Sequence, residues 1–209
     1  MKIAVIGANG KAGRLIVREA VSRGLDVTAV VRGENRTEAK TALIRDLFDL
    51  TAKDLAGFDA VIDAFGAWIP ETLPQHSSSL KHLCDLLSGT KTRLLVVGGA
   101  GSLYVNQEHT VRVMDGPDFP AAFQPLAFHM GVALEELRSR LDVQWTYISP
   151  AADFRADGKR TGKYIWGGEE LILNDRGESV ISYADYAAAM VDEVISAGHI
   201  QERISVAGA

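Results

Sequence analysis

The sequence predicts an α/β fold: a doubly wound parallel sheet with helices on both faces, one folded unit over residues 1–209, and a small C-terminal hairpin-containing lobe from residues 151–182. Three observations carry this. Apolar strand-like runs alternate with helical patterns through the first 150 residues, which implies right-handed crossovers. A glycine-rich turn, GANGKAG, separates the first strand from the first helix. RLLVVGG at 93–99 shows no polar alternation, as expected of a strand covered on both faces.

The elements follow in order. KIAVIG (2–7) reads as a buried strand, and KAGRLIVREAVSRG (11–24) as a helix that Gly24 is placed to end. VTAVVR (27–32) is a β-branched strand, TALIRDLF (41–48) a weaker one, and Thr51 with Asp54 caps a short helix. AVIDAFG (60–66) is the next strand. In 76–90, Leu80, Leu83, Cys84 and Leu87 form the i, i+3, i+4, i+7 stripe of an amphipathic helix. A helix at 128–141 and a strand at 143–149 complete the alternation. Beyond Pro150 the pattern changes: KYIW, LILN and VIS are short strand-like pieces separated by turn residues. Ser182 with Asp185 then caps a last helix, 185–198, and RISVAG (203–208) closes as a strand.

With 209 residues, 47% hydrophobic and 23% charged, the chain buries a sizeable core. A net charge of -5 and the lack of any Lys/Arg run argue against nucleic acid. No apolar stretch reaches the roughly 18 residues of a membrane span, and the N-terminus lacks the apolar length of a secretory signal. A soluble, cytoplasmic protein is the expectation. Cys84 is the one cysteine, so no internal disulfide forms. Nothing in the pattern of one chain sets an oligomeric state.

The glycine turn points to a dinucleotide. Read as G-x-G-x-x-G/A from Gly7 it gives Gly7, Asn9 and Ala12 and fails, because the middle glycine is absent. G-x-x-G-x-x-G fits Gly7, Gly10 and Gly13. One glycine leaves the strand in a tight turn, one lets backbone approach a pyrophosphate, and one packs the helix close. Asn9 tolerates positive φ and suits such a turn. The helix beginning near Lys11 and Ala12 aims free N–H groups at phosphate. Arg32 ends the second strand, where a guanidinium matches a ribose 2′-phosphate, so NADP(H) is favoured over NAD(H), with Glu34 nearby as the competing signal.

Together with WTYISPAADF (145–154), GKRTGKY (158–164) and GESVISYADYAAAMVDE (177–193), the KIAVIGANGKAG segment resembles the atypical short-chain dehydrogenase/reductases, and among them the NADH-flavin reductase-like group, on a Rossmann fold. The resemblance implies cofactor contacts at Gly7, Asn9, Gly10, Lys11, Ala12 and Arg32. It implies adenine contact at Asp46 and Leu47, cofactor backbone at Ala64, Phe65 and Gly66, and the nicotinamide beside Ser149, Pro150 and Ala151.

Most short-chain dehydrogenases use a Tyr-x-x-x-Lys pair, in which Lys lowers the pKa of the proton-donating Tyr. No tyrosine here has Lys four residues on. The ALEEL register (133–137) puts Ala127 and Gly131 at the places of that pair. Ser102, after the fifth strand, matches the family's serine, and His129, or His109 in the long 101–127 loop, is a candidate proton donor. Without the pair, hydride transfer to a planar acceptor such as flavin or quinone is favoured, because ring stacking does most of the work. Candidate ring walls are Trp68, Tyr104, Phe154 and Trp166. The alternative is an NADP(H)-sensing regulatory binding protein without turnover, and an isomerase is disfavoured by the missing pair. There is no G-x-S-x-G elbow, the five histidines form no metal-ligand set, and Cys84 belongs to a core stripe.

Overall fold

The computed structural model describes residues 1–209. Its strands are β1 (Lys2–Ile6), β2 (Asp26–Val31), β3 (Thr41–Ile44), β4 (Ala60–Asp63), β5 (Arg93–Val97), β6 (Gln144–Pro150), β7 (Asp153–Arg155), β8 (Tyr164–Gly167), β9 (Val180–Ser182) and β10 (Glu202–Gly208). Helices are α1 (Lys11–Ser22), α2 (Ala52–Leu55), α3 (Gln75–Leu87), α4 (Gln124–Arg138) and α5 (Tyr183–Ser196). Eight strands form one sheet in the order β3-β2-β1-β4-β5-β6-β10-β8, parallel except where β8 runs against β10. Strand order reverses between β1 and β4, so the loops after these strands meet at a switch point, the place where open α/β sheets bind ligands.

Helices cover both faces. α1 and α5 close one face over Ile3, Val5, Ile62 and Val206. α3 and α4 close the other over Ala4, Val61, Leu94 and Tyr147, with Leu80, Leu83, Cys84 and Leu87 turned inward as their spacing requires. This doubly covered sheet explains the unalternated strands in the sequence.

Several boundaries differ from the sequence expectation, each for a local reason. β3 stops at Ile44 because Asp46 turns the chain, its carboxylate accepting from Phe48 N at 3.0 Å to open a 3-10 turn. β4 stops at Asp63, whose carboxylate accepts from Phe65 N at 3.0 Å. α4 begins at Gln124, with Pro125 in its first turn, four residues ahead of the expected start. In the late segment β8 supplies the antiparallel pairing, but against β10, while β7 and β9 pair parallel to each other. LILN is irregular chain rather than a strand.

Long-range polar contacts pin the late segment to the helices. Arg160 bonds Glu19 of α1 at 2.8 Å. Ser182 caps α5 by accepting from Asp185 N at 2.9 Å, as expected, but the Asp185 carboxylate turns away to accept from Thr161 N and Gly162 N at 2.8 and 2.7 Å. The 101–127 segment is folded as well. Asn106 closes a turn by accepting from Thr110 N and Val111 N, and Tyr104 N donates to Glu169 O at 3.0 Å.

Candidate functional site

The glycine turn works by backbone proximity. Gly7 has φ +69°, and a Cβ there would lie 2.6 Å from Ala64 O at the end of β4. A Cβ at Gly13 would lie 2.4 Å from Gly7 O, so only glycine lets α1 pack this close to the turn. Gly10 is the N-cap of α1 and has no side-chain cap. Arg14 N is the first amide of the helix to find an acceptor, Gly10 O at 3.0 Å, which leaves the Lys11, Ala12 and Gly13 amides without one. Free amides at the positive end of a twelve-residue helix suit an anion. The residues present therefore fit a dinucleotide pyrophosphate.

Asn9 serves this turn differently from the expectation of positive φ, which falls on Gly7 instead. Its amide donates to Glu34 O at 2.8 Å and accepts from Arg36 N at 2.9 Å. It thereby ties the loop after β2, which begins at Arg32, to the glycine turn. Arg32 and Lys11 are exposed and form no ion pair.

Along the loops after β3 and β4, Asp46 caps its 3-10 turn and Leu47 points into the core at 6% exposure. Leu47 is thus a packing side chain. Ala64 N donates to Ile6 O, Phe65 sets its ring edge-on to His76, and the Trp68 indole folds back over Gly66. Ser149, Pro150 and Ala151 are buried at the end of β6, with the Ser149 hydroxyl unpartnered.

The missing acid-base pair has a clear geometric counterpart. A Cβ at Gly101 would lie 2.6 Å from the Ala127 Cβ, and one at Gly131 would lie 3.8 Å from the Ser102 Cβ. Positions 127 and 131 of α4 thus face the loop after β5, as the register required, and present no proton-carrying group. His129 is half-buried on α4 with its ring edge-on to Phe128. His109 stacks on Tyr104, centroids 4.6 Å apart, and its Nε2 lies 2.5 Å from Glu170 Oε1.

The four aromatic candidates are not brought together. Tyr104 and Ser102 line one groove of about 650 Å³ between the 102–115 segment and α4. Trp68 stands apart over Gly66. Phe154 is not a ring wall of this groove, because its ring packs 3.9 Å from Tyr183 and 4.9 Å from Tyr186 against the α5 core. Trp166 sits on the edge strand β8, beside His199, whose carbonyl bonds Arg93 at the start of β5. The Cys84 thiol is buried, and burial pushes it up to about 12, which leaves it an inert core group.

Asp63 went unnoticed in the sequence, and Tyr147 and His76 were weighed there only as half of a Tyr–Lys pair and as a metal ligand. Asp63, Tyr147 and His76 line a small cavity of about 20 Å³ under the loops after β4 and β5, with room for one water. Burial pushes Asp63 up to about 6, against the Phe65 N–H bond that favours its charge. Burial also holds His76 below its usual value, so it is neutral and supplies no counter-charge. Tyr147 accepts from Gly99 N at 3.2 Å, and burial pushes its hydroxyl up to about 12. The signal was present: Asp63 is an acidic residue inside an otherwise apolar strand.

Residues 7–196 match a family model described as NAD(P)H-binding. A crystal structure from Streptococcus pneumoniae, of a protein named a putative NADH-flavin reductase, is 54% identical, with all of both chains covered and a TM-score of 0.98. An uncharacterized Bacillus subtilis protein, YwnB, is 46% identical over 99% of this chain and 98% of its own. A Bacteroides thetaiotaomicron protein named a putative epimerase is 36% identical over 99% of this chain and 96% of its own, with a TM-score of 0.86. No helix is long and apolar enough to cross a membrane. With a free-amide turn at the switch point of a doubly wound sheet and a match over most of its length, the chain belongs to the NAD(P)H-binding family on a Rossmann fold.

Proposed function

We propose that this protein is an NAD(P)H-dependent oxidoreductase that passes hydride to a planar acceptor, a flavin or a quinone, with NADP(H) favoured over NAD(H). The observation that carries the reading is the pairing of a built anion cradle with a bare α4. The Lys11, Ala12 and Gly13 amides are free, while positions 127 and 131 facing Ser102 are Ala and Gly. A carbonyl substrate would need a proton donor at positions 127 and 131, where this chain has Ala and Gly. A flavin or quinone takes a hydride with a proton drawn from water, so orientation suffices.

The bound nicotinamide cofactor supplies the hydride. The Lys11–Gly13 amides bind its phosphates, and Arg32 reads the 2′-phosphate from a loop that Asn9 holds in place. Asp46 and the Leu47 backbone border the adenine. Ala64, Phe65 and Gly66, with Ser149, Pro150 and Ala151, wall the nicotinamide side. Ser102 orients a carbonyl oxygen, and His129 remains the nearest titratable candidate on α4. The name of the Streptococcus pneumoniae relative agrees with a flavin as acceptor.

Arg32→Ala is expected to raise the KM for NADPH about tenfold, the loss of about 1.4 kcal/mol of phosphate binding, while the KM for NADH stays put. A wild-type preference for NADH that Arg32→Ala leaves unchanged refutes the NADP assignment. Steady-state oxidation of NADPH with FMN, FAD or a quinone tests the activity itself. Tight NADPH binding without turnover on any of them overturns the reductase reading and leaves the regulatory sensor.

A further inference from the structure

Three buried polar side chains hold loop backbone at the end of the sheet where the glycine turn stands, and they meet at one cavity. Asp63, the last residue of β4, accepts from Phe65 N at 3.0 Å. Tyr147 of β6 accepts from Gly99 N, in the loop after β5, at 3.2 Å. His76 of α3 bonds the Ala67 backbone, its Nε2 lying 3.1 Å from Ala67 O. The peptide that Asp63 holds is also the one the glycine turn packs against. A Cβ at Gly7 would lie 2.6 Å from Ala64 O and 3.3 Å from Phe65 N, and Ala64 N itself donates to Ile6 O.

No cation balances the Asp63 charge. Its partners in the sheet are Ile6 of β1 and Val96 of β5. On α3 the titratable groups near it are His76 and the Cys84 thiol, and on β6 Tyr147. α4 brings Met130 and Ala133 to the cavity, with His129 near enough to act on His76. Only the Phe65 N–H favours the charged carboxylate against its burial. At pH 8 that charge costs the fold stability, and asparagine would accept from the same amide without it. What asparagine cannot supply is the strength of an ionised acceptor, which holds an amide about twice as strongly as a neutral one.

We propose that Asp63 is a positioning residue for the nicotinamide cofactor: its ionised carboxylate fixes the Phe65 amide, and with it the Ala64–Phe65 peptide on which the glycine turn rests. The proposal rests on the reading of that turn as the cofactor site and is independent of the acceptor. Cofactor binding and loss of the Asp63 proton then favour each other, so affinity falls as pH drops from about 6 to about 5.

Calorimetric titration with NADP⁺ at pH 5, 6 and 8 tests this in the wild type, Asp63→Asn and Tyr147→Phe. Asparagine keeps an oxygen for Phe65 N and stands in for the protonated acid at every pH. The quantity read is the variant Kd divided by the wild-type Kd, in which titration of the cofactor's own 2′-phosphate cancels. For Asp63→Asn this ratio is expected to be near one at pH 5 and to rise about fivefold by pH 8. Tyr147→Phe disturbs the same cavity and leaves the carboxyl, so its ratio is expected to be the same at all three values. A ratio for Asp63→Asn that does not change with pH overturns the positioning role, whether it is one throughout or a uniform loss from altered packing. An equal rise in Tyr147→Phe also overturns it, because the charge is then not the source. No binding of NADP⁺ by the wild type at any pH overturns the cofactor reading and the proposal with it, whereas binding with an unchanging ratio overturns the proposal alone.

Discussion

Gly7→Ala is expected to destabilise the protein by about 2–4 kcal/mol and to weaken NADPH binding about 100-fold. Two costs add at this residue. The backbone sits at φ +69°, where any side chain costs about 1–2 kcal/mol. The new Cβ would also lie 2.6 Å from Ala64 O, a backbone atom at the end of β4 that cannot swing aside. The turn must therefore lift from β4 and carry the Lys11–Gly13 amides with it. Gly24→Ala separates the two effects, since Gly24 has φ +78° but nothing within 4 Å of its Cβ. That control is expected to lose about 1 kcal/mol and no NADPH affinity. Thermal unfolding and calorimetric titration read both. Wild-type NADPH affinity in Gly7→Ala would remove the phosphate cradle from this turn.

Asp63→Asn is expected to stabilise the protein at pH 8 by up to about 3 kcal/mol, with the gain fading to nothing near pH 4. Burial pushes the Asp63 carboxyl up to about 6, from an ordinary value of 3.8. The folded state therefore holds this proton more tightly than the unfolded chain. Between about pH 4 and pH 6 the native protein binds more protons, so wild-type stability falls as pH rises through that window. Above it the carboxylate remains charged beside neutral His76 at full cost. Asparagine keeps an oxygen to accept from Phe65 N and carries no charge. Urea unfolding of both proteins at pH 4, 6 and 8 measures the difference. A gain that is equal at all three values would show that charge burial is not its source.

Legibility in the sequence followed the range of the forces involved. The strand and helix alternation was readable because periodicity reports burial locally, and Leu80, Leu83, Cys84 and Leu87 turn inward as their spacing says. The bare α4 was readable because helix register carried Ala127 and Gly131 to the face opposite Ser102. Where a side chain redirected the backbone, boundaries shifted, as with Asp46 ending β3 and Asp63 ending β4. Aromatic residues were the least readable. Phe154 and Trp166 sit near strand ends like Tyr104, yet one packs on Tyr183 and the other beside His199.

The sequence by itself determined the α/β alternation, the glycine spacing and the missing proton-transfer pair, because each depends on steric and periodic rules acting within a few residues. Only the tertiary structure decided which polar groups are left without partners. Arg203 meets Ser102 and Glu169 from 101 and 34 residues away, and Asp63 is cut off from bulk water only when α3 and α4 close over the sheet. Hydrogen-bond satisfaction and charge desolvation are set by the surroundings that the whole chain builds. The glycine turn was therefore visible in one line of sequence, and the buried contacts of Arg203 and Asp63 were not.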